Sequence, residues 1–383
     1  MQERFFPSKL PNVGTTIFST MSALAKEQGA INLSQGFPDF PIDSDLKTAV
    51  EKALKDEQVQ YAPMPGRMDL REQLSAKIFV QHGVAVDPKE EITIHAGATQ
   101  AIYSAIAASV HKGDEVVLFD PAYDCYAPSI RLHGGIPIHL KLTFPDYRIN
   151  WSEVSASITE KTRMIIVNNP HNPAGTVWQK NDITALEKIV QQHPQLLILS
   201  DEVYEHIQFE GEHQSVLKSE LLRKRSFVCY SFGKTFHVTG WKIGYCVAPL
   251  LLTKELRKMH QFNVFCVNNT MQSALNIYLS EKQAWMQVSE GYKKKRDLFL
   301  EGMKHSRFKA LNCEGTYFCL FDYSDISTEN DVDFCKHLTQ QYKVAAIPVS
   351  VFYQDQTDHK VIRFCFAKED ETLTKATQQL CRI

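Results

Sequence analysis

Phe227-Val228-Cys229-Tyr230-Ser231-Phe232-Gly233-Lys234-Thr235-Phe236 is an apolar run that gives way to a serine, a glycine and a lysine. A short apolar run bounded by turn residues predicts a buried strand, here with Lys234 in a loop at its end. By itself, a lysine between glycine and threonine reads as a solvated surface residue. Upstream, however, the pattern recurs. Leu196–Ser200 ends in Asp201-Glu202-Val203-Tyr204, and Met164–Val167 ends in Asn168-Asn169-Pro170-His171-Asn172-Pro173-Ala174-Gly175. Glu91–His95 ends in Ala96-Gly97-Ala98-Thr99-Gln100. In an open α/β sheet, ligands bind at the carboxyl ends of the strands. Lys234, Asp201, Tyr204, Asn172 and the Gly97-Ala98-Thr99 helix start are therefore expected in one crevice.

The chain around this stretch is that of an ordinary globular protein. Its 383 residues are a prior for about 2.5 domains. With 44% apolar and 22% charged residues and a net charge of −2, it carries no basic footprint for nucleic acid. Lys293-Lys294-Lys295-Arg296 falls within an amphipathic pattern and reads as the solvated face of a helix. Nine cysteines, an odd number without a Cys-x-x-Cys pair, suggest neither a disulfide frame nor a metal site. They point to a reducing compartment. Met1–Pro7 holds no long apolar stretch, and no segment approaches membrane-spanning length. A soluble cytoplasmic protein without nucleic-acid or membrane partners is expected.

From Glu91 to about Pro249, strand patterns near 91–95, 115–119, 136–140, 163–167, 196–200, 226–230 and 243–248 alternate with helical ones. This predicts an α/β fold, a mostly parallel seven-stranded sheet between helices. An irregular arm and a helix about Ile17–Glu27 precede it, with helical patterns near 44–56 and 67–82. After three further helices, shorter strands such as Val344–Ile347 and Val361–Phe366 predict a smaller α+β domain. The expected division is 1–45 (arm and part of the small domain), 46–280 (large domain) and 281–383 (small domain). Gly36, in the turn-rich Ser34–Pro41, marks a crossing loop or a close backbone approach to a ligand. Tyr61 stands in Tyr61-Ala62-Pro63-Met64-Pro65-Gly66, a stiff exposed loop.

Each converging residue suits a need of pyridoxal phosphate. The aldehyde needs an amine for a Schiff base, and Lys234 is the candidate. A carboxylate facing the pyridine nitrogen keeps it protonated, a role that suits Asp201. Tyr204 and Asn172 can donate to the ring 3′-oxygen. Gly97, Ala98 and Thr99 open a helix whose amides suit a phosphate, and Ser231 and Lys242 flank Lys234 to close the cradle. Tyr123, after the strand Val116–Phe119, can stack on the ring. Each signal is weak alone; their order at successive strand ends makes the case.

With these segments the sequence resembles the class I and II aminotransferases, pyridoxal-phosphate enzymes of fold type I. Asn172-Pro173-Ala174-Gly175, Asp201-Glu202-Val203-Tyr204 and Ser231–Phe236 with Gly240-Trp241-Lys242 carry the resemblance. Gln35–Phe40 and Asp120–Tyr126 are similar to the kynurenine, glutamine and methionine aminotransferase branch, nearest the bacterial methionine type. The resemblance implies a homodimer in which Tyr61 reaches the partner's cofactor. It implies Arg363 as clamp for the substrate carboxylate, helped by Asn172 and the backbone of Gly36. An arginine fork matches a carboxylate with two parallel hydrogen bonds; in isolation, Arg363 reads as an exposed strand residue. By position along the matching segments, Phe18 and Phe265 would line the side-chain pocket near Tyr103 and Tyr123, although core packing explains such aromatics nearly as well. Lys242 stands where many members have arginine, which keeps the charge and loses the fork.

The implied activity is transfer of an amino group from an uncharged L-amino acid to a 2-oxo acid, by ping-pong kinetics. Methionine is favoured, with phenylalanine, tyrosine, kynurenine and glutamine as further donors. One rival is a cysteine-conjugate or cystathionine β-lyase on the same scaffold, since fold does not fix reaction type. A DNA-reading fusion does not suit the charge. A nicotinamide-dependent oxidoreductase lacks its G-x-G-x-x-G after any strand.

Overall fold

The computed structural model describes residues 7–383, so the first six residues of the expected arm lie outside it. The strands among the described residues are β1 (Ile31–Asn32), β2 (Ile92–His95), β3 (Glu115–Asp120), β4 (Ile136–Lys141), β5 (Thr162–Asn168), β6 (Leu197–Asp201) and β7 (Ser226–Ser231). They continue with β8 (Gly244–Val247), β9 (Lys309–Ala310), β10 (Phe318–Asp322), β11 (Val344–Ala345), β12 (Ile347–Pro348) and β13 (Val361–Cys365).

Seven strands form one sheet in the order β2-β8-β7-β6-β5-β3-β4. Of these, only β8 runs against its neighbours. The sheet is thus the mostly parallel one that the alternating pattern predicts. Its central strands are near-continuous apolar runs because both faces are covered. Alternate side chains point to opposite faces. Val117, Phe119, Ile165, Val167, Ile198 and Val228 join one apolar layer with the helices Ser44–Lys55, Met68–His82, Lys180–Gln192 and Asn269–Glu281. Val116, Leu118, Met164, Ile166, Leu199 and Phe227 join the other, under Ala101, Ile102, Ala105 and Ile106 of the helix Ala98–Ser109.

A second core gathers Met21 and Leu33 with Phe299, Phe321, Phe364 and Leu373. Around it lie the antiparallel sheet β12-β13-β10-β9 and the parallel pair β1-β11. The pairing of β1 with β11 brings the N-terminal segment back onto the C-terminal part of the chain. It carries the loop that follows, Ser34–Phe37, to the carboxyl edge of the large sheet.

Three local details depart from the sequence reading. Val344–Ile347 is not one strand: β11 pairs β1, while β12 pairs β13. The helix Trp151–Ser157, capped by the Asn150 side chain on Glu153 N–H, was not expected. Lys234 lies in a short helix, Phe232–Thr235, rather than a loop. Phe232 and Phe236, one helical turn apart, stack at 6.0 Å between centroids and wind the chain.

Candidate active site

The parallel strands β2, β3, β5, β6 and β7 end at His95, Asp120, Asn168, Asp201 and Ser231, all on one edge of the sheet. Between that edge and the β10–β13 sheet lies a cavity of about 290 Å³. Gly36, Gly97, Ala98, Thr99, Tyr123 and Asn172 line it. So do Asp201, Tyr204, Ser231, Lys234, Lys242, Arg363 and Phe18. Three expected residues do not. Tyr103 sits edge-on to His133, 4.9 Å between centroids. Tyr61 is 83% exposed on the outer surface, edge-on to the exposed Phe265.

Lys234 Nζ donates to the Tyr317 hydroxyl at 2.9 Å. It is enclosed by protein, and loss of hydration pulls its pKa down to about 8, with Arg363 and Lys242 adding to the effect. Asp201, buried at the end of β6, accepts from the Tyr126 hydroxyl at 2.6 Å and from Val203 N–H at 3.3 Å. Burial still wins and raises its carboxyl to about 6.

On the opposite wall, Arg363 projects from the middle of β13, between Leu320 and Ile347. It is 1% exposed, not the surface residue its strand position suggests in isolation. Its guanidinium lies over the Phe318 ring at 3.8 Å and near Phe18 and Phe352 at 5.3 and 5.5 Å. Arg363 Nη1 donates to Asn172 Oδ1 at 2.7 Å, and Nη2 reaches the Ser34 carbonyl at 3.4 Å. Among the described residues Arg363 Nε has no hydrogen-bond partner. Among the described residues no carboxylate lies within ion-pair distance of this guanidinium. Burial lowers its pKa. Because Asn172 Oδ1 accepts from Arg363, the donor end of that amide is the one free for an oxygen in the cavity. Asn172 is fixed in turn by its N–H to Asn168 Oδ1, 2.8 Å.

At the other end, Gly97 has φ +82° immediately before the helix Ala98–Ser109. A side chain there would come within 3.3 Å of Lys242 Cε and Nζ, so a glycine leaves room for the lysine over the helix start. Gly36 is equally constrained, since a Cβ would meet the Phe318 ring at 2.6 Å.

Sequence reasoning passed over Tyr317, Tyr126, Asn168 and Phe318. Tyr126 stands within a quoted segment but carries no motif. Tyr317 is 83 residues from Lys234, so only the fold brings the two together.

The family model for aminotransferase class I and II matches residues 28–380. Methionine aminotransferase from Escherichia coli K12 is 48% identical over 97% of both chains. Kynurenine–oxoglutarate transaminase from Dictyostelium discoideum is 32% identical over 100% of this chain and 98% of its own. Among solved structures, that of YbdL from Escherichia coli, whose structure and reactivity identify a methionine aminotransferase function, superposes with a TM-score of 0.97 at 48% identity, covering 99% of each chain. N-succinyldiaminopimelate aminotransferase from Mycobacterium tuberculosis gives 0.94 at 32% identity, covering 98% of this chain and 99% of its own. The chain belongs to the class I and II aminotransferases, with their fold type I architecture and dependence on pyridoxal phosphate.

Proposed function

We propose that this pyridoxal-phosphate-dependent aminotransferase takes methionine as its preferred amino donor. Phenylalanine, tyrosine, kynurenine and glutamine are further donors, and a 2-oxo acid is the acceptor. The observation that carries the reading is the charge distribution of the cavity. Among the described residues its lining cations are Lys234, Lys242 and Arg363, which the lysine, phosphate and carboxylate roles use up. What remains near Arg363 is aromatic, with Phe18 and Phe318 on the wall. Such a surface favours a thioether or a ring over a second carboxylate. The 48% identical relative named for methionine supports the same choice.

The cavity residues fit the cofactor. Asp201 is a buried carboxylate with room for a cationic ring nitrogen, and Gly97 with Lys242 leaves a cradle at a helix start. When bound, pyridoxal phosphate supplies an aldehyde for amine exchange and a ring that withdraws the electron pair released at the substrate α-carbon. In this reading Lys234 would hold the cofactor through its amine, and as a free amine it would take and return the substrate α-proton. Its pKa near 8 suits that task near neutral pH. Asp201 would hold the ring nitrogen. Asn172 and Tyr204 would hold the 3′-oxygen, Tyr123 would cover the ring, and Ala98, Thr99, Ser231 and Lys242 would hold the phosphate. Arg363, with its unpartnered Nε and its fork opposite the lysine, takes the substrate carboxylate beside Gly36.

The same reading makes 46–280 the cofactor-holding unit and the functional form a homodimer. The exposed aromatic group Tyr61, Phe262 and Phe265 supports an interface there, with Tyr61 reaching the partner's phosphate. Nine unpaired thiols support a cytoplasmic setting. Among the described residues no helix is long and apolar enough to cross a membrane.

The test is the visible spectrum of the loaded enzyme with methionine and no acceptor. The cofactor band should convert to the amine form and return when a 2-oxo acid is added. Donors ranked by kcat/KM should place methionine first and aspartate far below. Aspartate at the head of the ranking sinks the donor assignment. Pyruvate and thiol release without an acceptor would favour the lyase.

A further inference from the structure

Tyr317 belongs to none of the roles assigned above. Its ring is fully buried, edge-on to Tyr204 at 5.4 Å and to Phe318 at 4.8 Å. The phenolic hydroxyl touches the Gly36 carbonyl and Lys234 Nζ at once, and it also lies against the Tyr204 side chain. It donates to the Gly36 carbonyl at 2.6 Å, and Lys234 Nζ donates to it at 2.9 Å. A carbonyl has no proton to give, so the phenol proton is committed to Gly36. Toward Lys234 the oxygen can then offer only a lone pair. Burial holds the Tyr317 pKa well above the usual phenol range, so the hydroxyl stays neutral and does not compete as a base.

We propose that Tyr317 is a positioning residue for Lys234, an obligate acceptor that fixes one N–H of the amine and so aims its lone pair into the cavity. This rests on the reading of Lys234 as the lysine that carries the cofactor. A neutral amine freed into a cavity can rotate about its terminal bond; one held N–H limits where the remaining lone pair points. The same contact ties the amine to the substrate loop. Arg363 reaches the Ser34 carbonyl, Tyr317 the Gly36 carbonyl and Lys368 Nζ the Phe37 carbonyl at 2.9 Å. The loop expected beside the substrate carboxylate is therefore registered against the reacting nitrogen through a single hydroxyl.

Tyr317→Phe removes the hydroxyl and keeps the ring packing. In the full chain without cofactor, the pH dependence of Lys234 acetylation, read by mass spectrometry, reports the amine's titration. Loss of an acceptor from a charged donor should move its midpoint down by about one pH unit. In the loaded enzyme, the methionine half-reaction should slow roughly 10- to 100-fold. KM should change little, and the isotope effect with α-deuterated methionine should rise. 3-Fluorotyrosine at position 317, a weaker acceptor of the same shape, should fall between wild type and Tyr317→Phe. An unmoved acetylation midpoint overturns the contact. A moved midpoint with a wild-type half-reaction rate overturns the orienting role. Borohydride fixation of the cofactor followed by peptide mapping separates the two readings. A label away from Lys234 defeats the proposed function, while the acetylation midpoint still decides whether Tyr317 holds the amine.

Discussion

Asp201 and Glu202 are chain neighbours, both buried, and they face opposite sides of one turn. Asp201 and Tyr204 look into the cavity at the strand ends, whereas Glu202 and Glu205 look back into a cluster with Lys77, His82, His206 and His213. The back face is rich in cations and donors, although Glu205 Oε2 has no hydrogen-bond partner among the described residues. Glu202 accepts from His213 Nε2 at 2.9 Å, Ser200 at 2.9 Å, Val216 N–H at 3.2 Å and Tyr230 at 3.2 Å. Glu205 accepts from Lys77 Nζ at 2.6 Å. Burial alone would raise both carboxyls. His213 nevertheless lowers Glu202, and His206, Lys77 and His82 hold Glu205 well below its usual range. On the front face Asp201 has a tyrosine and one amide, and its carboxyl rises to about 6. Equal burial has opposite outcomes. A charge paired with buried protein cations serves the fold, and one that lines a cavity without such a pair is open to a ligand.

Removing the charge on each face should therefore have opposite effects on stability. Glu205→Gln leaves the Lys77 ammonium buried without its counter-ion, a change that costs about 3–5 kcal/mol. Chemical denaturation should detect the loss, while the kcat of whatever enzyme remains folded stays within a few-fold of wild type. A comparable drop in kcat would mean that the two faces are not separate. Asp201→Asn should do the reverse. The folded-state pKa of Asp201 lies above the unfolded one, so the stability it contributes is present at low pH and is lost as pH rises from about 4 to about 6. Above pH 6 the buried carboxylate is a net cost. Without cofactor at pH 7.5, the asparagine variant should gain on the order of 2–3 kcal/mol. With cofactor its turnover should fall about 10²- to 10³-fold. Destabilisation of the cofactor-free variant would show that Asp201 already has its full set of partners.

The front face was legible in the sequence because strand ends announce themselves. A short apolar run that stops at Asp201, at Asn168 or at Ser231 places the residues at its end on a sheet edge, and βα alternation puts those edges together. The back face was not legible. Glu202 lies between the candidate site residues Asp201 and Tyr204 and Glu205 follows them, and nothing in Asp-Glu-Val-Tyr-Glu distinguishes a ligand-facing acid from a buried structural one. Lys77 lies 128 residues from Glu205, inside a helix whose pattern only predicts packing. Tyr317 and Tyr126 escaped for the same reason, since their partners are set by tertiary contact. Lys234 stands just past a strand end as the apolar run predicts, but in a helix rather than a loop, because a four-residue helix is too short to leave a periodic signal.

His82 separates the two faces at the smallest scale. It closes the helix Met68–His82, its side chain is 1% exposed, and neither ring nitrogen has a hydrogen-bond partner. Burial lowers its pKa to about 4, although Glu205 works in the other direction. The unfolded chain takes up a proton near pH 6.5 and the folded chain only near 4, so stability is lost as pH falls through that window. Phenylalanine matches the ring and has nothing to protonate. Thermal or denaturant unfolding of His82→Phe should match wild type within about 0.5 kcal/mol at pH 8 and exceed it by about 1–2 kcal/mol at pH 5. The substitution leaves Lys234 and Asp201 untouched, so the pH profile of kcat should not move. An unchanged acid limb would mean that His82 is charged in the folded protein, paired with Glu205 across their 3.9 Å gap. The back face would then be an ion-pair network throughout, and its contrast with Asp201 would be sharper still.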